Sequence, residues 1–200
     1  MRVVVIGATG TIGKAVVQQL AGRHEVVNVG HNSGEFRVDI ASAGSIKALF
    51  DKLGPVDAVV STAGSAVFKS FEELTDADYA LGLANKLMGQ VNLVRLGYRS
   101  IRDGGSFTLT SGVLSREPMK GSASISMINA GVEGFVRAAA LELPRGIRVN
   151  VVSPPWVQET LDALGMKGIQ GMPAMNVALA YVDSVEGKKT GTVIEVRAFA

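Results

Sequence analysis

The stretch Gly7-Ala8-Thr9-Gly10-Thr11-Ile12-Gly13 has the residue types and spacing of a phosphate-binding turn. Glycines let a backbone approach a pyrophosphate closely, and the free N–H groups of a helix start carry the partial positive charge that holds it. The stretch follows Val3-Val4-Val5-Ile6, an apolar run of the kind that forms a buried parallel strand. It leads into Ile12, Ala15, Val16 and Leu20, which fall on one helix face. Strand, glycine turn and helix together point to a bound dinucleotide; the plain alternative is a tight turn that holds nothing. Other chemistries are excluded by composition. The chain has no cysteine, which removes disulfides, thiolate zinc sites and cysteine nucleophiles, and its two histidines, His24 and His31, argue against a His-rich metal site.

Such a turn must be positioned by a sheet. Two hundred residues suit one domain with a sizeable core, and 47 % hydrophobic with 19 % charged residues is an ordinary globular balance. A net charge of +2 without a dense Lys/Arg cluster argues against a polyanion-binding surface, so no nucleic-acid partner is expected. No apolar run approaches the ~20 residues that span a bilayer. The chain opens on its first strand rather than on a signal peptide, so a cytoplasmic protein with no membrane partner is expected.

Further strands are expected at Glu25–Gly30, Val56–Val60, Ser106–Thr110, Gly146–Val152 and Thr192–Val196. Helices are expected at Ser45–Leu53, at about Asp76–Ile101 as one or two helices, and at Ser124–Leu143; Asp103-Gly104-Gly105 reads as a turn. Strands alternating with helices imply right-handed βαβ units and a parallel sheet.

In this order and spacing the chain resembles the short-chain dehydrogenase/reductase family over nearly its whole length. Gly7–Gly13 matches the family's GxxGxxG cofactor loop. Asp39-Ile40, after a short strand near Phe36–Asp39, sits where the family's adenine-contacting Asp stands. Ser61-Thr62-Ala63-Gly64 resembles its Asn-Asn-Ala-Gly, and Thr108-Leu109-Thr110-Ser111-Gly112 the strand leading to its catalytic serine. Ala139–Leu143 with Gly146–Pro154 is close to its late signature, and Thr160 corresponds to its nicotinamide-contacting threonine. The resemblance implies an α/β fold: a Rossmann-type doubly wound parallel sheet in three αβα layers, one NAD(P)-binding domain over residues 1–200. It places the ligand outside the C-terminal strand ends, against Gly7, Thr9, Gly10, Thr11, Ile12, Gly13, Asp39, Ile40, Ala63, Gly64, Pro154 and Thr160. It also implies a homodimer or homotetramer built from the two long central helices, near Lys86–Ile101 and Ser124–Leu143.

An acid at the end of the second strand hydrogen-bonds the ribose of NAD and repels the 2′-phosphate of NADP. Here that region reads Val29-Gly30-His31-Asn32-Ser33, without an acid. His31, Asn32 and Ser33 can each donate to a phosphate, which favours NADP over NAD, although no Arg stands among them. His31 reads equally as an exposed loop residue, and Lys14 as a charge near the phosphates or a solvated helix position.

The family's chemistry uses a Tyr and a Lys four residues apart, a Ser and an Asn. Aligning Ala130–Leu143 puts Ile125 at the Tyr position and Asn129 at the Lys position. Ile transfers no proton, and Asn can bond a ribose but carries no charge. A slip of one or two residues offers Ser124 or Ser126. Ser111 matches the serine. Lys86-Leu87-Met88-Gly89 aligns with the family's Asn-Leu-x-Gly, so Lys86 stands where the Asn stood; Asn85 matches only if the helix shifts by one. Lys86 either points into the site as the missing cation or is a solvated surface Lys. A desolvated Lys can act as acid or base. Lys120 is a weaker candidate. Leu161, Leu164, Met166, Met172 and Met175 form either an apolar lid or the core of a short helix, and Trp156 either borders the nicotinamide or packs in the core.

Three readings follow. One is an NADP(H)-dependent oxidoreductase acting on a small carbonyl or alcohol, with Ser111 polarising the oxygen, Lys86 supplying the cation and Asn129 beside them. Another is a catalytically silent NAD(P)-binding protein, a redox sensor or a regulatory subunit. A lyase, isomerase or epimerase that keeps its cofactor is the third and weakest.

Overall fold

The computed structural model describes residues 1–196. Seven parallel strands form one sheet: β1 (Arg2–Ile6), β2 (Glu25–Gly30), β3 (Phe36–Arg37), β4 (Val56–Ser61), β5 (Ile101–Thr110), β6 (Arg148–Ser153) and β7 (Val193–Glu195). Their order is β3-β2-β1-β4-β5-β6-β7. Helices α1 (Thr11–Leu20), α2 (Ala43–Leu53), α3 (Asp76–Gly82), α4 (Met88–Gly97), α5 (Ala123–Glu142), α6 (Gln158–Ala163) and α7 (Ala174–Glu186) connect them.

Alternation along β1 explains the layers. Val4 and Ile6 face one core, with Ile46 and Phe50 of α2, Leu93 of α4 and Val132 and Val136 of α5. Val3 and Val5 face the other, with Val16 and Leu20 of α1 and Val177 and Tyr181 of α7. All four β1 residues are buried, which is why the strand reads as an unbroken apolar run. The doubly wound, three-layer expectation therefore holds, and chain order reverses between β1 and β4, where ligands of such sheets bind.

Several boundaries differ from expectation. Ser45 is not the start of α2: Ser42 caps it, its hydroxyl accepting from Ser45 N at 3.2 Å. Asp103-Gly104-Gly105 is not a turn between elements but a bulge inside β5, across which the register passes from Val56↔Ile101 to Ala58↔Ser106. Gly104 takes φ +73° there. The helical region after Asp76 breaks into α3, a π-helical turn over Leu83–Leu87 and α4, and Ile101 already belongs to β5. Sequence reasoning misses α7 altogether. Its polar ties to the sheet are buried: Tyr181 Oη lies 2.7 Å from Thr110 Oγ1, and Ser184 Oγ 2.7 Å from Thr108 Oγ1.

Neither reading covers all of the late apolar residues: Leu161 is fully buried, Met172 and Met175 (the latter in α7) are half-buried against the core, Met166 is half-buried and Leu164 is exposed, and none of them lines the cavity beside Lys86. Among the described residues no helix is long and apolar enough to cross a membrane, and no cluster of His, Asp and Glu could hold a metal.

Candidate active site

Two cavities open at the C-terminal strand ends and share Thr62, Ala63 and Gly64 as their common wall. The outer one, about 460 Å³, is lined by Gly7, Thr9, Gly10, Gly30, His31, Val38, Asp39, Ile40 and Asn85 as well. The inner one, about 220 Å³, runs between Ile12, Lys86, Ser111, Asn129 and the segment from Pro154 to Thr160.

The turn before α1 is built to leave its amides open. Gly7 takes φ +86° and receives a bond from Gly10 N at 3.0 Å. Gly13 packs so tightly that an added Cβ would lie 2.0 Å from Gly7 O. No side chain caps α1, and its first turn holds no acid. The first amides of a helix have no partner within it, so this end can take an anion. A dinucleotide fits the crevice on these grounds. A second ground is the carboxamide oxygen of Asn129, which is buried at the inner cavity without a hydrogen-bond partner.

Lys86 belongs to the π-helical turn, a device common at functional sites. Its stem crosses Gly64, whose Cβ would lie 2.8 Å from Lys86 Cγ, and its Nζ donates to Ser111 O at 3.2 Å. Burial pushes its pKa down to about 8 from the ordinary 10.5, because the charged form has lost water. Of the two readings of Lys86, the pocket is the one the geometry gives. Asn85 instead turns to the outer cavity, where its Oδ1 accepts from Ser65 N at 2.7 Å.

Ser111 lines the inner cavity, but its hydroxyl donates to Glu133 Oε1 at 3.0 Å. Ser115 donates to the same oxygen at 2.7 Å, and Arg137 approaches the other at 3.4 Å. The Ser111 hydroxyl is thus directed at a carboxylate, while Lys86 Nζ reaches Ser111 O in the wall of the same cavity. Ile125 lines the cavity; Ser124 and Ser126 do not, and Lys120 is an exposed loop residue. Trp156 borders the cavity and meets Phe68 edge to face at 5.8 Å. Thr11, Asn32 and Ser33 are exposed and line neither cavity, and Gly13 is buried beneath the turn. Lys14 is solvated.

Two residues escaped sequence reasoning. Buried Gln90 donates to Lys86 O at 3.1 Å and Thr110 O at 2.8 Å, and accepts from Thr110 N at 2.7 Å. It pins the Lys86 turn to the end of β5. Its signal was a polar side chain four residues after Lys86 on an apolar helix face. Glu133 is 3 % exposed, and its only sequence hint was Arg137 one turn later.

The chain has recognisable relatives. A family model described as enoyl-(acyl carrier protein) reductase matches residues 1–196. The hydroxynaphthalene reductase-like protein Arp2 of Metarhizium brunneum is 30 % identical over 179 residues, covering 77 % of this chain and 67 % of that protein. The 3-oxoacyl-(acyl-carrier-protein) reductase of Rattus norvegicus is 28 % identical, covering 78 % and 65 %. This chain thus spans about two thirds of the length of these curated relatives. The crystal structure of lin1944 from Listeria innocua superimposes with a TM-score of 0.95 at 44 % identity, covering 98 % of this chain and 99 % of that one. A small-chain dehydrogenase in complex with NADPH superimposes with a TM-score of 0.87 at 29 % identity, covering 98 % and 95 %. Because the family match runs through every described residue on a sheet of the expected winding, the chain belongs to the short-chain dehydrogenase/reductase family.

Proposed function

We propose that this chain is an NADP(H)-dependent oxidoreductase that reduces a small carbonyl compound, or oxidises the corresponding alcohol, with Lys86 in place of the family's Tyr/Lys pair. The observation that carries the reading is Lys86 in the wall of the inner cavity with its pKa pushed down to about 8. A proton donor works best with a pKa near the working pH.

The open start of α1 receives the diphosphate, and His31 with Asp39 and Ile40 bounds the adenosine. Asn129 offers its unpartnered oxygen to a ribose hydroxyl, and Thr160 and Pro154 bound the nicotinamide end. Bound there, NADPH supplies the hydride, a property of the cofactor. Lys86 Nζ hydrogen-bonds the carbonyl oxygen and gives it a proton as negative charge develops. Ser111 O holds that ammonium, Gln90 holds the Lys86 backbone, and Glu133 holds the Ser111 side chain. Val113, Leu114, Ile125 and Trp156 keep the reacting carbon dry. Oxidation of NADPH across a panel of small aldehydes and ketones tests the reading; bound NADPH without turnover leaves the silent binder. That second reading is favoured by one observation, the Ser111 hydroxyl turned to Glu133.

His31→Asp is expected to reverse the cofactor preference. A carboxylate at the outer cavity would repel a 2′-phosphate and accept from a 2′-hydroxyl, a shift on the order of a hundredfold in the NADPH/NADH affinity ratio. Calorimetric titration of both nucleotides measures it, and an unchanged ratio removes His31 from the phosphate site.

Association through α4 and α5 belongs to the same proposal. A groove between them is lined by Val94, Tyr98, Phe135, Ala138, Ala139 and Leu143. A Cβ on Gly134 would meet nothing within 4 Å, whereas one on Gly131 would meet Leu87 at 3.1 Å. Gly131 thus serves packing inside the chain, and Gly134 is left to serve a second copy. Light scattering should give a dimer or tetramer for the parent and a single chain for Gly134→Arg. A monomeric parent would remove the interface.

A further inference from the structure

This inference rests on the oxidoreductase reading above and names its substrate class. A cation drawn into a cavity wall is ordinarily paired, because lost hydration has to be offset. Lys86, half-buried in that wall, is not. Among the described residues lining the inner cavity it is the one charged side chain, and its Nζ bonds a neutral carbonyl. The carboxylate behind that wall, Glu133 of α5, is taken up by Ser111, Ser115 and Arg137. On α3, Asp78 is paired with Lys69 and Asp76 is exposed. The counter-charge must arrive with the ligand.

The hydrogen bonds narrow it further. An ammonium has three N–H donors. One is spent on Ser111 O at 3.2 Å, which leaves two on one nitrogen. Two donors from one nitrogen suit two oxygens on adjacent carbons, one of them anionic. The walls beyond are apolar (Val113, Leu114, Ile125 and Trp156), and the volume of about 220 Å³ must also admit the reactive ring. That leaves room for a short carbon chain.

We infer that the substrate is a short 2-oxo acid, reduced to its 2-hydroxy acid, with Lys86 binding the carboxylate and the keto oxygen together. A hydride from the reduced dinucleotide forms the new C–H bond at the keto carbon. The carbonyl π pair moves to oxygen and takes a proton from Lys86 Nζ. The amine regains its proton from water, and the carboxylate is unchanged.

Trp156 is the chain's single tryptophan and lines the cavity, so its fluorescence reports occupancy. The probes are oxamate, a non-reducible 2-oxo acid analogue, and oxamide, its uncharged isostere, each titrated with and without NADP⁺. Oxamate should shift the emission saturably, and oxamide should bind on the order of tenfold or more weakly, the usual value of a hydrogen bond to a charged group. Oxamate affinity in the parent should fall as pH rises past about 8. Lys86→Met should abolish it. Equal affinities for the two probes, a flat oxamate titration, a pH-independent affinity, or oxamate binding kept in Lys86→Met would each overturn the inference. The amide comparison and the pH series need only the parent, so they decide even where the variant fails to fold. Absence of NADP⁺ binding sinks the oxidoreductase reading while the oxamate result still stands. Turnover of neutral ketones with oxamate silent sinks this inference alone.

Discussion

Lys86→Met should lower NADPH-dependent carbonyl reduction on the order of 10²–10⁴-fold, the usual worth of a positioned general acid, while the variant folds at least as stably as the parent. Loss of activity alone would be weak evidence, since many pocket substitutions do that by unfolding. The second half of the prediction separates the two. Lys86 in the folded chain titrates near 8 and in the unfolded chain near 10.5. Between those values the unfolded chain holds the extra proton, so this group's contribution to stability rises with pH across the window. Below about 8 both states are protonated and the fold carries the full penalty of a partly desolvated charge, about 3 kcal/mol. Methionine has a similar reach and no charge, and replacing an unpaired, partly desolvated cation by an apolar side chain is neutral or stabilising.

The pH profile gives the same claim a second reading. Reduction needs the ammonium, so kcat/KM for reduction should fall above about pH 8, and the alcohol-oxidising direction should rise there. Residual activity in Lys86→Met should have lost that limb. A profile unchanged by the substitution would move the proton to another group, and a variant less stable than the parent at pH 7 would show that Lys86 holds the fold together rather than straining it.

Legibility from sequence followed the length scale of the physics. The buried strands β1, β4 and β6 were plain because parallel strands covered on both faces are continuous apolar runs, and the glycine turn was plain because close backbone approach restricts residue type. β5 was misread at Asp103–Gly105, since a bulge and a turn call on the same residues and only the neighbouring strand tells them apart. α7 was missed although Val177, Ala178, Tyr181 and Val185 repeat at helical spacing between Pro173 and Gly187. The position of Lys86 was legible only as two alternatives. Its direction is set by the π-helical turn, which a 3.6-residue period does not show, by Gly64, 22 residues away, and by Gln90, whose spacing is helical but whose bonds to Thr110 are not readable from it. Ser111 shows the reverse limit. Its place in the chain was readable, but Glu133, which takes its hydroxyl, lies 22 residues away on another element.

The second large effect concerns the turn on which every ligand argument here depends. Gly13→Ala should cost on the order of a hundredfold or more in NADPH affinity and lower the melting temperature. Two effects compete at this position. Alanine favours a helix by about 1 kcal/mol over glycine, which alone would stabilise α1. Against that, the new Cβ would lie 2.0 Å from Gly7 O, 2.7 Å from Gly7 C and 2.9 Å from Ala8 Cα. These are backbone atoms, so no rotamer change relieves the contact, and overpacking of this kind costs 1–3 kcal/mol or more. The clash wins. Relief requires Gly7 to move, yet Gly7 O holds Gly10 N at 3.0 Å and Thr62 Oγ1 at 3.2 Å, and Gly7 N is bonded to Val29 O at 2.8 Å. Pushing it apart separates the glycine turn from the first amides of α1, and those amides then no longer converge on one diphosphate. Gly22→Ala is the control, because its Cβ would meet nothing within 4 Å on an exposed turn. Calorimetric titration with NADPH and a thermal melt of both variants measure the contrast. Gly13→Ala binding nucleotide as the parent does would place the diphosphate somewhere other than the start of α1, and with it the reacting ring that Lys86 is argued to face.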